Sequence, residues 1–183
     1  MIMISILEID RRDLHEHAHN MLREALKLRC VDYNADTPVI KGRLGKPSLA
    51  ERPDIHYNIS HANGIAACLV SDFECGIDCE NVRAFRPNVM KRAFSDKERK
   101  LVEETPESER DILFFRIWTL KEAYVKALGI GISYPLNTAE FSFSGDEIIC
   151  DLEGCRFRQY IIDGGKYIVS SCELKDPPED PTL

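Results

Sequence analysis

The sequence lacks any apolar run near the roughly 20 residues that a membrane-spanning helix needs, so no membrane association is expected. Its start has no basic segment leading into an apolar stretch and a small-residue cleavage site, and Met1-Ile2-Met3-Ile4-Ser5-Ile6-Leu7-Glu8-Ile9 therefore reads as a first strand, not a signal peptide. Excess positive charge is also missing. A net charge of −7 over 183 residues argues against a general nucleic-acid binder, because neutralising phosphates takes a basic footprint. Cysteine is present but unpatterned: the count of seven is odd, and Cys75-x-x-x-Cys79 and Cys150-x-x-x-x-Cys155 lack the spacing of zinc knuckles or of a secreted disulfide framework. Reduced, mostly buried thiols and a cytoplasmic setting are expected.

At 44% hydrophobic residues the chain can bury one sizeable core or two small halves sharing one. The pattern predicts a strand at about 2–9, an amphipathic helix to about Cys30, and an irregular region over 31–54 that contains Gly45-Lys46-Pro47. Strands follow at 55–59, 65–71 and 76–80, the first two joined by Ser60-His61-Ala62-Asn63-Gly64. From Pro87 to Leu128 the pattern is helical, with Ser95-Asp96-Lys97-Glu98 matching a capping box and Gly129 a helix stop. Strands at 139–143, 147–151, 155–162 and 166–174 complete an α+β class, the last two paired through Asp163-Gly164-Gly165. We expect an N-terminal half over 1–73, a C-terminal half over 74–174 and a disordered tail over 175–183.

Two segments carry chemistry. On the helix near residue 120, Phe114, Ile117, Trp118, Tyr124, Val125 and Leu128 share a face, and Lys121 falls among them. A lysine in an apolar stripe calls for an anion, either an acid or a phosphate, unless its stem carries the ammonium out to solvent. Glu122 and Lys126 lie beside it, one turn apart. In Gly76-Ile77-Asp78-Cys79-Glu80, strand alternation puts Asp78 and Glu80 on one face with Ile77 and Cys79 behind. Adjacent carboxylates repel unless a cation lies between them, and Glu122 would complete a three-carboxylate set suited to Mg²⁺. Tyr57-Asn58-Ile59-Ser60-His61 ends a strand at a turn, where a hydroxyl, an imidazole and unpaired backbone N–H groups suit a phosphate.

Taken in order, Gly45-Lys46-Pro47, Tyr57-Asn58-Ile59-Ser60-His61, Gly76-Ile77-Asp78-Cys79-Glu80, Phe94-Ser95-Asp96-Lys97-Glu98 and Trp118-Thr119-Leu120-Lys121-Glu122-x-x-x-Lys126 resemble the motif set of the Sfp-type 4′-phosphopantetheinyl transferases. The resemblance runs from about residue 42 to Pro135. It implies a pseudo-twofold fold of two similar α+β halves with coenzyme A in the cleft between them, although no sequence repeat relates the halves. The implied reaction moves the 4′-phosphopantetheine arm of coenzyme A to a serine of an apo acyl or peptidyl carrier protein, with Mg²⁺ and a monomeric enzyme. By motif position Asp78, Glu80 and Glu122 are expected to hold the metal. Lys46, Ser60 and His61 are expected to contact the coenzyme, and Lys121 and Lys126 to meet its phosphates. The serine proton is expected to go to Glu98 or to metal-bound water near Glu122, which makes Glu98, Glu122 and Lys126 the catalytic candidates.

The chain departs from this pattern where Ala62 stands in place of a common serine, and where the short N-terminal half lacks part of the basic segment that in the family often meets the 3′-phosphate, leaving Arg11 and Arg12 as weak substitutes. A competing reading comes from His15-Glu16-His17-Ala18-His19, which matches the H-E-x-x-H zinc pattern but offers no third ligand. Another is a coenzyme A or carrier-protein binding module without catalysis, which the complete set Asp78, Glu80, Glu122 and Lys126 argues against. Residues 83–100 concentrate Arg83, Arg86, Lys91, Arg92, Lys97, Arg99 and Lys100 against Asp96 and Glu98, a basic surface suited to an acidic carrier.

Overall fold

A computed structural model describes residues 1–7, 11–42, 44–131 and 134–176, with the side chains of Arg11 and Arg12 excluded. The tail beyond 176 and the contribution expected of those two arginines therefore lie outside the described residues.

The chain runs through the same connectivity twice. The first pass is strand β1 (Ile2–Ile6), helix α1 (Arg11–Lys27), a short pair β2 (Val39–Lys41) and β3 (Pro47–Leu49), then a hairpin of β4 (His56–Ala62) and β5 (Ile65–Ser71). The second is β6 (Glu74–Asn81), helices α2 (Pro87–Ala93), α3 (Asp96–Glu104) and α4 (Glu107–Leu128), a short pair β7 (Phe141–Ser144) and β8 (Glu147–Cys150), then a hairpin of β9 (Cys155–Ile162) and β10 (Tyr167–Leu174). Each pass forms a three-stranded antiparallel sheet in the order first, last, middle: β1-β5-β4 and β6-β10-β9. The second pass differs by inserting α2 and α3 before its long helix.

Strand alternation sorts the side chains into layers. Tyr57, Ala66, Cys68 and Val70 face α1, where Leu14, Ala18, Leu22 and Leu26 meet them. Their neighbours Ile65, Ala67 and Leu69 face the second sheet and pack on Ile77, Cys79, Tyr167 and Val169. Because both faces are covered, all seven residues of β5 are buried, which explains its nearly unbroken apolar run Ile65-Ala66-Ala67-Cys68-Leu69-Val70. The far face of the second sheet carries α4, with Leu120, Ala123 and Ala127 against Cys172 and Leu174. Helix, sheet, sheet and helix thus stack in that order. At one end Ser71 donates to Glu173, whose other oxygen holds Arg156 and Arg158 at 2.8 and 2.9 Å, tying the end of β5 to β10.

The helical block has three helices where the sequence pattern reads as one stretch, and Pro106 stands at the start of α4. The capping box at Ser95 and Glu98 forms in both directions, and Gly129 ends α4 in the left-handed region at φ 70°. Strand β4 runs on to Ala62, so its turn shrinks to Asn63 and Gly64, with Gly64 at φ 80°. Ser60 and His61 are therefore mid-strand, paired with Ala67 and Ala66. That placement within a strand corrects the expectation of an open, phosphate-holding turn there.

Candidate functional site

The site begins at a glycine. Helix α4 lies so close on β6 that a Cβ at Gly76 would fall 2.1 Å from the Ala123 carbonyl oxygen and 2.4 Å from the Ala127 nitrogen. That contact brings Glu122 and Lys126 down beside the carboxylates of β6. Lys126 Nζ reaches Asp78 Oδ1 at 2.6 Å, and also donates to Ser60 Oγ at 3.0 Å and to the Ile77 carbonyl at 3.1 Å. Burial lowers the pKa of Lys126, but the neighbouring Asp78 and then Glu122 more than offset this and raise it. Glu80 accepts from Arg83 at 2.8 Å, yet burial dominates and lifts its pKa. Glu122 is pushed up to about 7, first by burial and next by Asp78, against the pull of Lys126.

Beside these groups a cleft of about 290 Å³ opens between the two halves. Leu44, Gly45, Lys46 and Pro47 line it from the first half with Asn58 of β4, and Glu122, Val125, Lys126 and Gly129 line it from α4 and its end. The stem of Lys46 crosses Gly129, where a Cβ would meet Lys46 Cδ at 3.0 Å. The ammonium of Lys46 is turned to Glu74 at 2.6 Å and to the Ala127 carbonyl at 2.6 Å, near the negative end of α4. Lys46 therefore shapes the cleft while its charge is spent on the protein.

Three expectations need correction. Lys121 does not face the cleft: it is 0% exposed, 2.8 Å from Glu98 Oε2, and donates to the carbonyls of Leu136 (2.8 Å) and Ala139. The anion that its place in an apolar stripe calls for is Glu98, not a ligand phosphate. Glu98 in turn is 1% exposed and accepts from the backbone N–H of Ser95 at 2.7 Å and of Phe141 at 2.9 Å. Burial raises Glu98 and lowers Lys121, each opposed by the other's charge. A general base must come within hydrogen-bond reach of the attacking hydroxyl, and a carboxylate closed in this way does not. Ser60 is the third. A hydroxyl has one donor and two acceptor sites, and Ser60 Oγ uses all three, donating to Asp78 Oδ1 (3.1 Å) and accepting from Lys126 Nζ and the Cys79 N–H (3.3 Å). None is left for a coenzyme.

His61 faces α1, with its Nε2 3.3 Å from His15 Nδ1. The rings of His15 and His19 stand edge to face at 4.7 Å, so the H-E-x-x-H histidines belong to an imidazole cluster on α1 and β4. Asn58, which the motif Tyr57-Asn58-Ile59-Ser60-His61 contains without a role of its own, lines the cleft. Its signal was its place two residues before Ser60, on the same face of the strand.

The donor chemistry suits a hard cation. Asp78 Oδ2 is buried without a hydrogen-bond partner, and Glu80 and Glu122 both feel its charge. Among the described residues no three acidic, cysteine or histidine side chains already form a metal-holding group, and the Lys126 ammonium sits on Asp78.

Residues 74–164 match the model of the 4′-phosphopantetheinyl transferase superfamily. The 4′-phosphopantetheinyl transferase Sfp of Bacillus subtilis (strain 168) is 29% identical over 185 residues, covering 94% of this chain and 83% of that protein. Another 4′-phosphopantetheinyl transferase of Bacillus subtilis is 31% identical over 65% of this chain and 55% of its own length. The crystal structure of the Thermotoga maritima holo-[acyl-carrier-protein] synthase superposes with a TM-score of 0.47 at 21% identity, over 56% of this chain and 63% of that one.

Proposed function

We propose that the chain is a member of the 4′-phosphopantetheinyl transferase superfamily and that it moves the 4′-phosphopantetheine arm of coenzyme A onto a serine hydroxyl of an apo acyl or peptidyl carrier protein, releasing adenosine 3′,5′-bisphosphate. The observation that carries the reading is the meeting of Asp78, Glu80, Glu122 and Lys126 at the mouth of a cleft between the halves. In the transfer, the serine oxygen forms a bond to the phosphorus that bears the pantetheine arm. The bond from that phosphorus to the oxygen of the adenosine-side phosphate breaks, and the departing phosphate takes the electron pair. Negative charge grows on the phosphoryl oxygens and the leaving group, where a fixed cation is worth most. Lys126 supplies that cation, preorganised by Ser60, Ile77 and Asp78.

We assign Asp78, Glu80 and Glu122 as the groups that would hold Mg²⁺, which when bound supplies charge neutralisation at the diphosphate. The serine proton must leave as the bond forms. With Glu98 closed off, its acceptor falls to the cleft, where Glu122 stands on the rim. Exposed Lys91, Arg92 and Lys100 on α2 and α3 give an acidic carrier a surface of opposite charge. The seven free thiols support a cytoplasmic setting, in which fatty-acid, polyketide or peptide-synthesis carriers are the partner class. No helix among the described residues is long and apolar enough to cross a membrane.

Incubation with coenzyme A, Mg²⁺ and an apo carrier should release adenosine 3′,5′-bisphosphate, detected by anion-exchange chromatography. Release should vanish when the carrier's serine is replaced by alanine. Tight binding of coenzyme A with no release across several carriers would favour the binding-module reading.

A further inference from the structure

Strands β4 and β6 belong to different sheets, and across the seam between them side chains take the part that backbone plays within a sheet. Asn58 and Ser60, two residues apart on β4, accept from the N–H groups of Ile77 and Cys79, two residues apart on β6. The Asn58 bond is 2.9 Å long. A backbone N–H only donates, so the atom facing Ile77 is the carboxamide oxygen, and the orientation of the amide follows from chemistry. Its NH₂ lies on the other branch of a planar group, and among the described residues no protein acceptor takes either of its hydrogens. Asn58 lines the cleft together with Glu122 and Lys126. Lys126 meanwhile donates to the carbonyl of Ile77. The two peptide groups of one residue thus hold Asn58 through its oxygen and Lys126 through its ammonium, and fix an amide donor pair next to a cation.

We propose that Asn58 is a substrate-binding residue whose NH₂ group donates to a phosphate oxygen of the coenzyme's diphosphate, side by side with Lys126. The inference rests on the transferase reading and adds a neutral donor to its binding set, in the place that the sequence pattern had given to Ser60. An acceptor that the amide binds beside that ammonium is anionic by preference, since hydrogen bonds to charged groups are about twice as strong as neutral ones. The same fixed geometry makes Asn58 sensitive to isosteric change. Asn58→Asp keeps an oxygen for the Ile77 N–H and removes both donor hydrogens, whereas Asn58→Ala removes the seam bond as well.

Calorimetric titration with coenzyme A, thermal unfolding and steady-state kinetics separate the possibilities. Asn58→Asp should unfold close to the wild-type temperature, bind coenzyme A about tenfold or more weakly, and raise KM for coenzyme A while leaving KM for the carrier unchanged. Asn58→Ala should lose both stability and affinity. In the wild-type protein the side-chain NH₂ resonances of Asn58, identified by their loss in the alanine variant, should shift when coenzyme A is added, a readout that holds even if the aspartate variant fails to fold. Wild-type protein that binds coenzyme A while those resonances stay still, or while Asn58→Asp binds equally well, would overturn the contact and leave the transferase reading intact. Wild-type protein that does not bind coenzyme A removes both.

Discussion

At the scale of single residues, some side chains act in the cleft and others hold the fold, and substitutions tell them apart. Asp78 is on the acting side, with one oxygen on Lys126 and the other buried and bare. Asp78→Asn should cut turnover by on the order of 100-fold or more while the protein remains folded, as loss of one preorganised electrostatic group does; near-normal kcat at saturating Mg²⁺ would remove it from the metal set. Glu98 is on the holding side. Glu98→Gln leaves the Lys121 ammonium buried without a counter-charge, and breaking a buried pair from one side costs about 3–5 kcal/mol. Pairing it with Lys121→Met should recover much of that loss in urea unfolding, because the second change removes the stranded charge. Turnover per folded molecule should stay within about threefold of wild type in the double variant, well short of the roughly 100-fold fall that loss of a general base brings. Glu74 gives a pH signature. Its hydrogen bond from His56, and then its bond to Lys46, hold its pKa at about 2 against an ordinary 4.5. A folded pKa below the unfolded one stabilises the protein fully above the unfolded value and is lost as pH falls through the folded one. Stability should therefore drop between about pH 5 and pH 2, and urea melts of Glu74→Gln should show a flatter acid limb over that window.

At the scale of elements, the close approach of α4 to β6 decides whether the site exists. Gly76 has backbone of α4 where a Cβ would stand, and backbone cannot swing aside as a side chain can. Gly76→Ala should push the helix off the strand, part Lys126 from Asp78 and lose most activity along with several degrees of melting temperature, measured by calorimetry and release of the nucleotide product. Unchanged activity would show that the helix and strand tolerate more space than their contact implies. Much at this scale was legible in advance. The alternation of Ile77 and Cys79 with Asp78 and Glu80, the capping box and the Gly129 stop all obey local rules that need no tertiary context. The β2 and β3 pair was not, since three-residue strands carry too little pattern, and one of them begins at Pro47. Nor was the length of β4. Ser60 and His61 look like turn formers by residue type, and it takes the ladder to Ala67 and Ala66 to hold them in a strand.

At the scale of the whole molecule, the repeated connectivity explains why one site sits at the seam of two halves. Each half alone covers one face of its sheet with a helix and leaves the other apolar, so Ile65, Ala67 and Leu69 need Ile77, Cys79 and Val169. The repeat leaves no mark in the sequence because the architecture asks only for alternation and turns, and the second half spends its extra helices on the aromatic cluster of Phe85, Phe94, Phe114 and Trp118. The partner of Lys121 was equally hidden. The sequence calls for an anion there, but only folding decides between Glu98, 23 positions away in the chain, and a ligand's phosphate. The central claim is that the seam transfers phosphopantetheine, and the intact mass of an apo carrier protein after incubation with this protein, coenzyme A and Mg²⁺ tests it most directly. The account predicts a gain of one phosphopantetheine arm per carrier with the wild-type protein and almost none over the same time with Asp78→Asn; an unchanged carrier mass across acyl and peptidyl carriers, with coenzyme A bound, would contradict it.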